Sequence, residues 1–177
     1  GVEANTMRIE PYIDVPASER GDYNILLAGY HYGIRHAGMI ANYAYKHAGF
    51  FRGEDSSMKV ANTAMILDCL YFNEEAGNHI DVLTHPGDKG PFDIEDIAKA
   101  CADTGTLIEI NDKHAHLTVE EIKIAANFDV SFIIGSDAHV PEKVGSFEGP
   151  LRRALEAGLD PGRIVNISLA NEGQKEI

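Results

Sequence analysis

The sequence is short of cysteine, of positive charge and of long apolar runs, and each shortage excludes a class of protein. Its two cysteines, Cys69 and Cys101, are too few for a disulfide framework. Both fall in segments that read as helix, so they read as reduced core residues of a cytoplasmic protein. Fifteen Lys plus Arg against 28 Asp plus Glu give a formal net charge of −13. That balance repels a phosphate backbone, and with no basic stripe it makes nucleic acid a poor partner. No apolar run approaches the ~20 residues a membrane span needs, and no stretch has the charged-then-apolar order of a signal peptide. Linkers, charge blocks and low-complexity segments are also missing. What is present, 177 residues of which 44% are hydrophobic, suffices for one core, so residues 1–177 read as a single domain. The opening Gly1-Val2-Glu3-Ala4-Asn5 has no Met and already carries a half-strand pattern; it reads like a beginning that is missing.

One cassette recurs along the chain. Asn24–His31 is an apolar strand ending in Gly-Tyr-His; His79–Asp88 ends in His-Pro-Gly; Gly105–Asp112 ends in Glu-Ile-Asn-Asp; and Ser131–Val140 ends in Gly-Ser-Asp-Ala-His. Each reads as a buried parallel strand with polar residues at its C-terminal tip. Helices lie between them. Met58, Ala61, Met65, Cys69 and Phe72 have helical spacing before a stop at Gly77. Ile94, Ile97 and Cys101 repeat the face, with Asp93 as N-cap and Gly105 as stop. Thr118 and Glu121 have capping-box spacing, and Ser146–Gly158 closes the series with Phe147, Leu151, Ala154 and Leu155. Alternation of strand and helix predicts an α/β fold with a parallel sheet or barrel.

In such a barrel the C-terminal strand tips converge on one face. Glu3, His31, His85, Asp137 and His139 all sit at such tips, a His/carboxylate set suited to Zn, Mn or Fe, and no thiolate is placed to join them. Each residue alone has a plainer reading. His-Pro-Gly is a turn, Asp137 caps a short turn, and Glu3 is a solvated terminal residue. The repetition on separate strands favours the functional reading. His36, His47 and His79 read as loop residues, and so do His114 and His116, except that their loop should border the site. The segment from Tyr32 to Glu54, rich in Gly and Tyr, is long for a connection. It reads either as a cover for substrate or as a surface insertion with a short helix around Met39–Tyr45.

The blocks Ile-Ile-Gly-Ser-Asp-Ala-His, Leu-Thr-His-Pro-Gly-Asp, Leu-Ile-Glu-Ile-Asn and Gly-Val-Glu-Ala-Asn, in this order, with Arg163-Ile164-Val165-Asn166 near the end, resemble the polymerase and histidinol phosphatase (PHP) superfamily. The small stand-alone bacterial phosphatases of that superfamily are the nearest in spacing. The resemblance implies a distorted (β/α)7 TIM-like barrel with up to three divalent metals, Zn or Mn with Fe or Mg as options, at its C-terminal face. It makes Glu3 a carboxylate bridging two metals, gives His31 and His85 to one of them, Asp137 to the second and His139 to the third. The family's first-strand His-x-His pair is absent, so the chain is expected to be the C-terminal portion of the barrel, preceded by roughly two βα units of about 30 residues. It would then bind metal best at Glu3, His31 and His85, and would pair through raw sheet edges with that missing N-terminal segment or with a second copy.

The implied activity is a metal-dependent phosphomonoesterase acting on a small phosphorylated metabolite, through a water that the metals ionise to hydroxide near neutral pH. Arg35, four residues past His31, is a candidate phosphate ligand or an ordinary loop arginine, and His114 and His116 are candidate substrate contacts. A phosphodiesterase or 3′ exonuclease, and a PHP barrel kept as a non-catalytic scaffold, are the alternative readings.

Overall fold

A computed structural model describes residues 1–31 and 56–168. Five strands, β1 (Val2–Asn5), β2 (Leu26–Gly29), β3 (Val82–Leu83), β4 (Leu107–Asn111) and β5 (Phe132–Gly135), form one parallel sheet in the order β1-β2-β3-β4-β5. Spatial order is therefore chain order. Four α-helices occur among the described residues: α1 (Ser56–Glu75), α2 (Ile94–Thr104), α3 (Val119–Ala125) and α4 (Glu148–Glu156). The α/β class and the parallel sheet agree with the sequence pattern. Among the described residues β1 and β5 are not paired with each other, so the described strands form one open parallel sheet. No helix there is long and apolar enough to cross a membrane. The Tyr32–Glu54 segment, with Arg35, His36, His47 and the helix expected at Met39–Tyr45, lies outside the described residues.

Strand register explains where the core sits. Ala4, Ala28, Leu83, Ile108 and Phe132 stand side by side across the sheet, and all five are buried. Side chains alternate along a strand, so Glu3 and Asn5 on β1, and Glu109 and Asn111 on β4, point to the other face. Burial of the apolar row thus turns the polar row toward a common side. The helices are held by local chemistry. Asp93 accepts the Glu95 and Asp96 N–H groups at the start of α2, and Gly105 ends that helix with φ of 76°, a left-handed conformation that glycine adopts without a Cβ clash. Thr118 and Glu121 complete a capping box at the start of α3.

Two elements differ from their sequence pattern. The buried face of α1 carries Asn62, Thr63 and Asn73 beside Met65, Ile66, Cys69 and Leu70. Asn73 donates to the Pro11 and Cys69 carbonyls (2.9 and 2.8 Å), and Asn62 to the Pro91 carbonyl (3.2 Å). The two asparagines are satisfied there by loop carbonyls and by a carbonyl of the helix itself. In α4, Ala154 is buried but Phe147 and Leu155 are exposed, so the apolar stripe expected to face the core lies partly outside it.

Short segments pair with part of each sheet margin. Beside β5, Ile164 bridges Phe132, and the Val165 N–H donates to the Phe132 carbonyl (2.9 Å). The Asn166 amide accepts from the Ile134 N–H (2.9 Å) and donates to the Ile134 carbonyl (2.8 Å). Beside β1, Thr6 bridges Ile13, and Asp14 accepts the Asn5 N–H at 2.7 Å.

Candidate metal centre

His31 and His85, just past the ends of β2 and β3, meet Glu3, which lies inside β1 as its second residue and not at a strand tip as its sequence suggests. Glu3 Oε1 lies 3.4 Å from His31 Nε2 and 3.5 Å from His85 Nε2, and the two rings meet edge to face with centroids 5.1 Å apart. Thr84 donates its hydroxyl to the same carboxylate oxygen at 2.7 Å. Close backbone approach makes this possible: a Cβ on Gly29 would fall 2.4 Å from Thr84 Oγ1, 2.7 Å from His31 Cε1 and 3.0 Å from Glu3 Oε1. His31, then His85, then the Thr84 hydroxyl hold the Glu3 carboxyl well below the usual carboxylate range, although burial works the other way.

The tautomer of His31 follows from its neighbour. Asn5 gives its Nδ2 to Asp14, which turns Asn5 Oδ1 toward His31 Nδ1 at 2.9 Å. An oxygen there can only accept, so His31 Nδ1 carries a proton and Nε2 is the ring atom turned to Glu3. Two ligand atoms of a tetrahedral shell with bonds of about 2.1 Å stand about 3.4 Å apart. The Glu3–His31 and Glu3–His85 separations match that spacing. An ionised carboxylate, an imidazole oriented with Nε2 inward and a second ring whose Nε2 also faces the carboxylate therefore fit a divalent ion of the Zn or Mn class.

Glu109 supports this group from beneath. It is 6% exposed and accepts the backbone N–H of His85 (2.9 Å) and the side-chain amide of Asn111 (3.0 Å). Burial pushes its carboxyl up, against the pull of those two bonds. A Cβ on Gly135 would lie 1.9 Å from Glu109 Oε1, so the glycine at the end of β5 makes room for this carboxylate. His85 (φ 29°) and Asp137 (φ 44°) both adopt left-handed backbone. For non-glycine residues this costs on the order of 1–3 kcal/mol each, and such strain concentrates at functional sites.

Asp137 falls in a second group with His85 and His114. His114, read from sequence as a loop residue bordering the site, is held between carboxylates, with Nδ1 at 2.9 Å from Asp88 Oδ2 and Nε2 at 2.8 Å from Asp137 Oδ2. Burial pushes its pKa down to about 4, against the pull of the two carboxylates. His139 joins neither group among the described residues. Its side chain is 66% exposed, with the Lys113 Nζ 2.8 Å from Nε2 and 3.1 Å from Nδ1. His116 faces Glu121 at 3.2 Å at the start of α3. Beside Asp137 opens a cavity of about 390 Å³ lined by Asp112, Lys113, Ser136, His139, Val140 and Lys143. Of these supporting residues, Asp88, Glu109, Lys113 and Lys143 carry no signal in the sequence that separates them from ordinary loop or strand positions.

No family model matches the chain. It is similar to proteins named probable phosphatases: 28% identical over 177 residues to one from Shewanella halifaxensis, covering 95% of this chain and 61% of that protein. With one from Syntrophotalea carbinolica it is 32% identical over 135 residues, 69% of this chain and 53% of that protein. With one from Proteus mirabilis it is 29% identical over 193 aligned positions, covering all of this chain and 69% of that protein. The chain thus spans 53–61% of the length of the first two.

Proposed function

We propose that the protein is a metal-dependent phosphatase that hydrolyses a small phosphorylated metabolite, with a divalent ion of the Zn or Mn class held by Glu3, His31 and His85. The observation that carries this reading is the tetrahedral spacing of Glu3 Oε1 from two imidazole nitrogens, 3.4 and 3.5 Å, in a chain whose relatives are named phosphatases. A metal bound there supplies Lewis-acid polarisation of phosphoryl oxygens and lowers the pKa of a water for attack. The chain's own residues do the rest. Lys113 and Lys143 line the cavity beside Asp137 together with Asp112, and they are its cationic groups for a phosphoryl oxygen to meet. Thr84 and Asn5 fix the ligands before substrate arrives. The reaction forms one bond from a water oxygen to phosphorus and breaks the ester P–O bond, and the alcohol leaves with a proton. The acidic net charge of −13 favours a small ester over a nucleic-acid backbone.

The test is turnover on a panel of phosphate monoesters, with metal analysis of the same sample. Chelation should abolish turnover and Zn or Mn should restore it, and His85→Ala should lower it by about 100-fold or more, beyond the 10–100-fold of an outer-shell loss. Turnover indifferent to chelator and to His85→Ala would overturn the reading.

A further inference from the structure

The cavity beside Asp137 has walls from two loops. Asp112 and Lys113 come from the loop after β4, and Ser136, His139 and Lys143 come from the loop after β5. The second loop runs directly into α4. Its turn at Pro141–Lys143 is closed by the Lys143 N–H on the Val140 carbonyl and the Val144 N–H on the Pro141 carbonyl, each at 3.1 Å, and the helix starts five residues later at Glu148. The Lys143 wall is thus tied to α4 through the chain itself.

Arg153, in the second turn of α4, ties the other wall to the same helix. Its Nε donates to the Leu117 carbonyl at 2.9 Å, and its Nη2 donates to the Asn111 carbonyl. Those carbonyls mark the two ends of the loop that carries Lys113, and both belong to completely buried residues, where an acceptor needs a partner. The Asn111 N–H donates to the His116 carbonyl, so the loop is pinched at its neck and the guanidinium spans that neck from outside. One planar fork holding two acceptors is a geometry that the single nitrogen of a lysine does not reproduce. One turn earlier on the same side of α4, a Cβ on Gly149 would fall 2.5 Å from Asp112 Oδ1, so the helix meets this loop a second time, at a residue that lines the cavity. Arg153 itself is not among the lining residues.

We propose that Arg153 is a positioning residue for phosphoryl binding: it clamps both ends of the 111–117 loop to α4 and so fixes the spacing of the Lys113 and Lys143 walls. The proposal rests on the phosphatase reading for the nature of the ligand. Without the clamp the loop is less ordered before the ligand arrives, and the cost of ordering it falls on binding. The strand end keeps its own anchors, because the Asn111 side chain donates to Glu109 (3.0 Å) and accepts the His114 N–H (2.8 Å). The loss is therefore expected in affinity ahead of the chemical step.

The experiment uses the whole chain as purified, with inorganic phosphate as the probe in isothermal titration and p-nitrophenyl phosphate for turnover. Arg153→Ala should keep the native circular dichroism, bind phosphate about tenfold more weakly and raise KM by a similar factor, while kcat changes by less than about threefold. Should Arg153→Ala fail to fold, Arg153→Lys takes its place; it reaches one of the two carbonyls and should still weaken phosphate binding by about threefold or more. A folded variant with wild-type phosphate affinity and KM would overturn the proposal, and so would a wild-type protein that binds no phosphate. A fall in kcat at unchanged KM would overturn it as well, since the effect would then lie with the metal ligands and not with this cavity. The phosphatase reading fails on a different result, wild-type turnover indifferent to chelator and to His85→Ala, so the two failures are told apart.

Discussion

Gly29 shows how much of the candidate centre depends on what a residue leaves out. Its missing side chain is the space in which Thr84, His31 and Glu3 meet. Gly29→Ala puts a methyl group 2.4 Å from the Thr84 hydroxyl oxygen, a backbone-anchored overlap that only movement of the ligands relieves. Overpacking of this kind costs about 1–3 kcal/mol. The variant should remain folded by circular dichroism while metal affinity falls at least about tenfold by isothermal titration; unchanged affinity would show that the cleft is wider than these contacts indicate. The cysteines test the opposite case. Burial pushes the Cys69 thiol up to about 12 and the Cys101 thiol higher still, and neither belongs to a ligand group among the described residues. Iodoacetamide at pH 8 should therefore label neither in the native state and both in denaturant, and replacing both by Ala should leave the metal content unaltered.

At the level of elements, caps were legible because they are local. Asp93 precedes its helix by one residue and binds N–H groups two and three residues on, so its role is written within a single turn of sequence. Burial raises the Asp93 carboxyl, but the Lys59 ammonium and the Asp96 and Glu95 N–H groups more than offset it, so the folded pKa is lowered. A lowered folded pKa means that the contribution is complete above the unfolded value near 3.9 and is lost as pH falls through the folded one. Asp93→Ala should therefore cost about 1 kcal/mol at pH 7, and its deficit in Tm against wild type should shrink below about pH 4. A deficit independent of pH would assign the loss to packing. The strand tips carrying His31, His85 and Asp137 were legible for a similar reason, since an apolar run that ends in ligand-type residues marks its own end. His114 was not. Its partners Asp88 and Asp137 arrive from the loops after β3 and β5, and nothing near position 114 in the chain announces them. Glu109 was hidden differently, because a carboxylate inside an apolar strand looks like an interruption until the glycine at the end of the neighbouring strand is seen to make room for it. The polar face of α1 escaped too, since periodicity registers apolar spacing and not the loop carbonyls that Asn62 and Asn73 satisfy.

For the whole molecule, the margins of the sheet decide how it behaves in company. Beside β5 the Asn166 side chain offers Ile134 an acceptor and a donor, as the backbone of a neighbouring strand would. Asn166→Ala removes both and leaves a parallel edge open to another chain. The expected result is concentration-dependent association of the variant by analytical ultracentrifugation, with a loss of about 1–3 kcal/mol from the unmet backbone groups; a variant as monodisperse and as stable as wild type would show that solvent serves Ile134 equally well. The order of the strands has a different consequence, in time. Each strand pairs with the one made just before it, so during synthesis every new strand finds its neighbour already in existence and none waits for a later one. Glu3, His31 and His85 are all present once β3 and the turn after it have emerged, whereas His114 and Asp137 follow β4 and β5. A chain growing toward its C-terminus thus completes its first candidate metal site before β4 and β5 exist, and an ion captured there would hold β1, β2 and β3 together while those two strands are still to come.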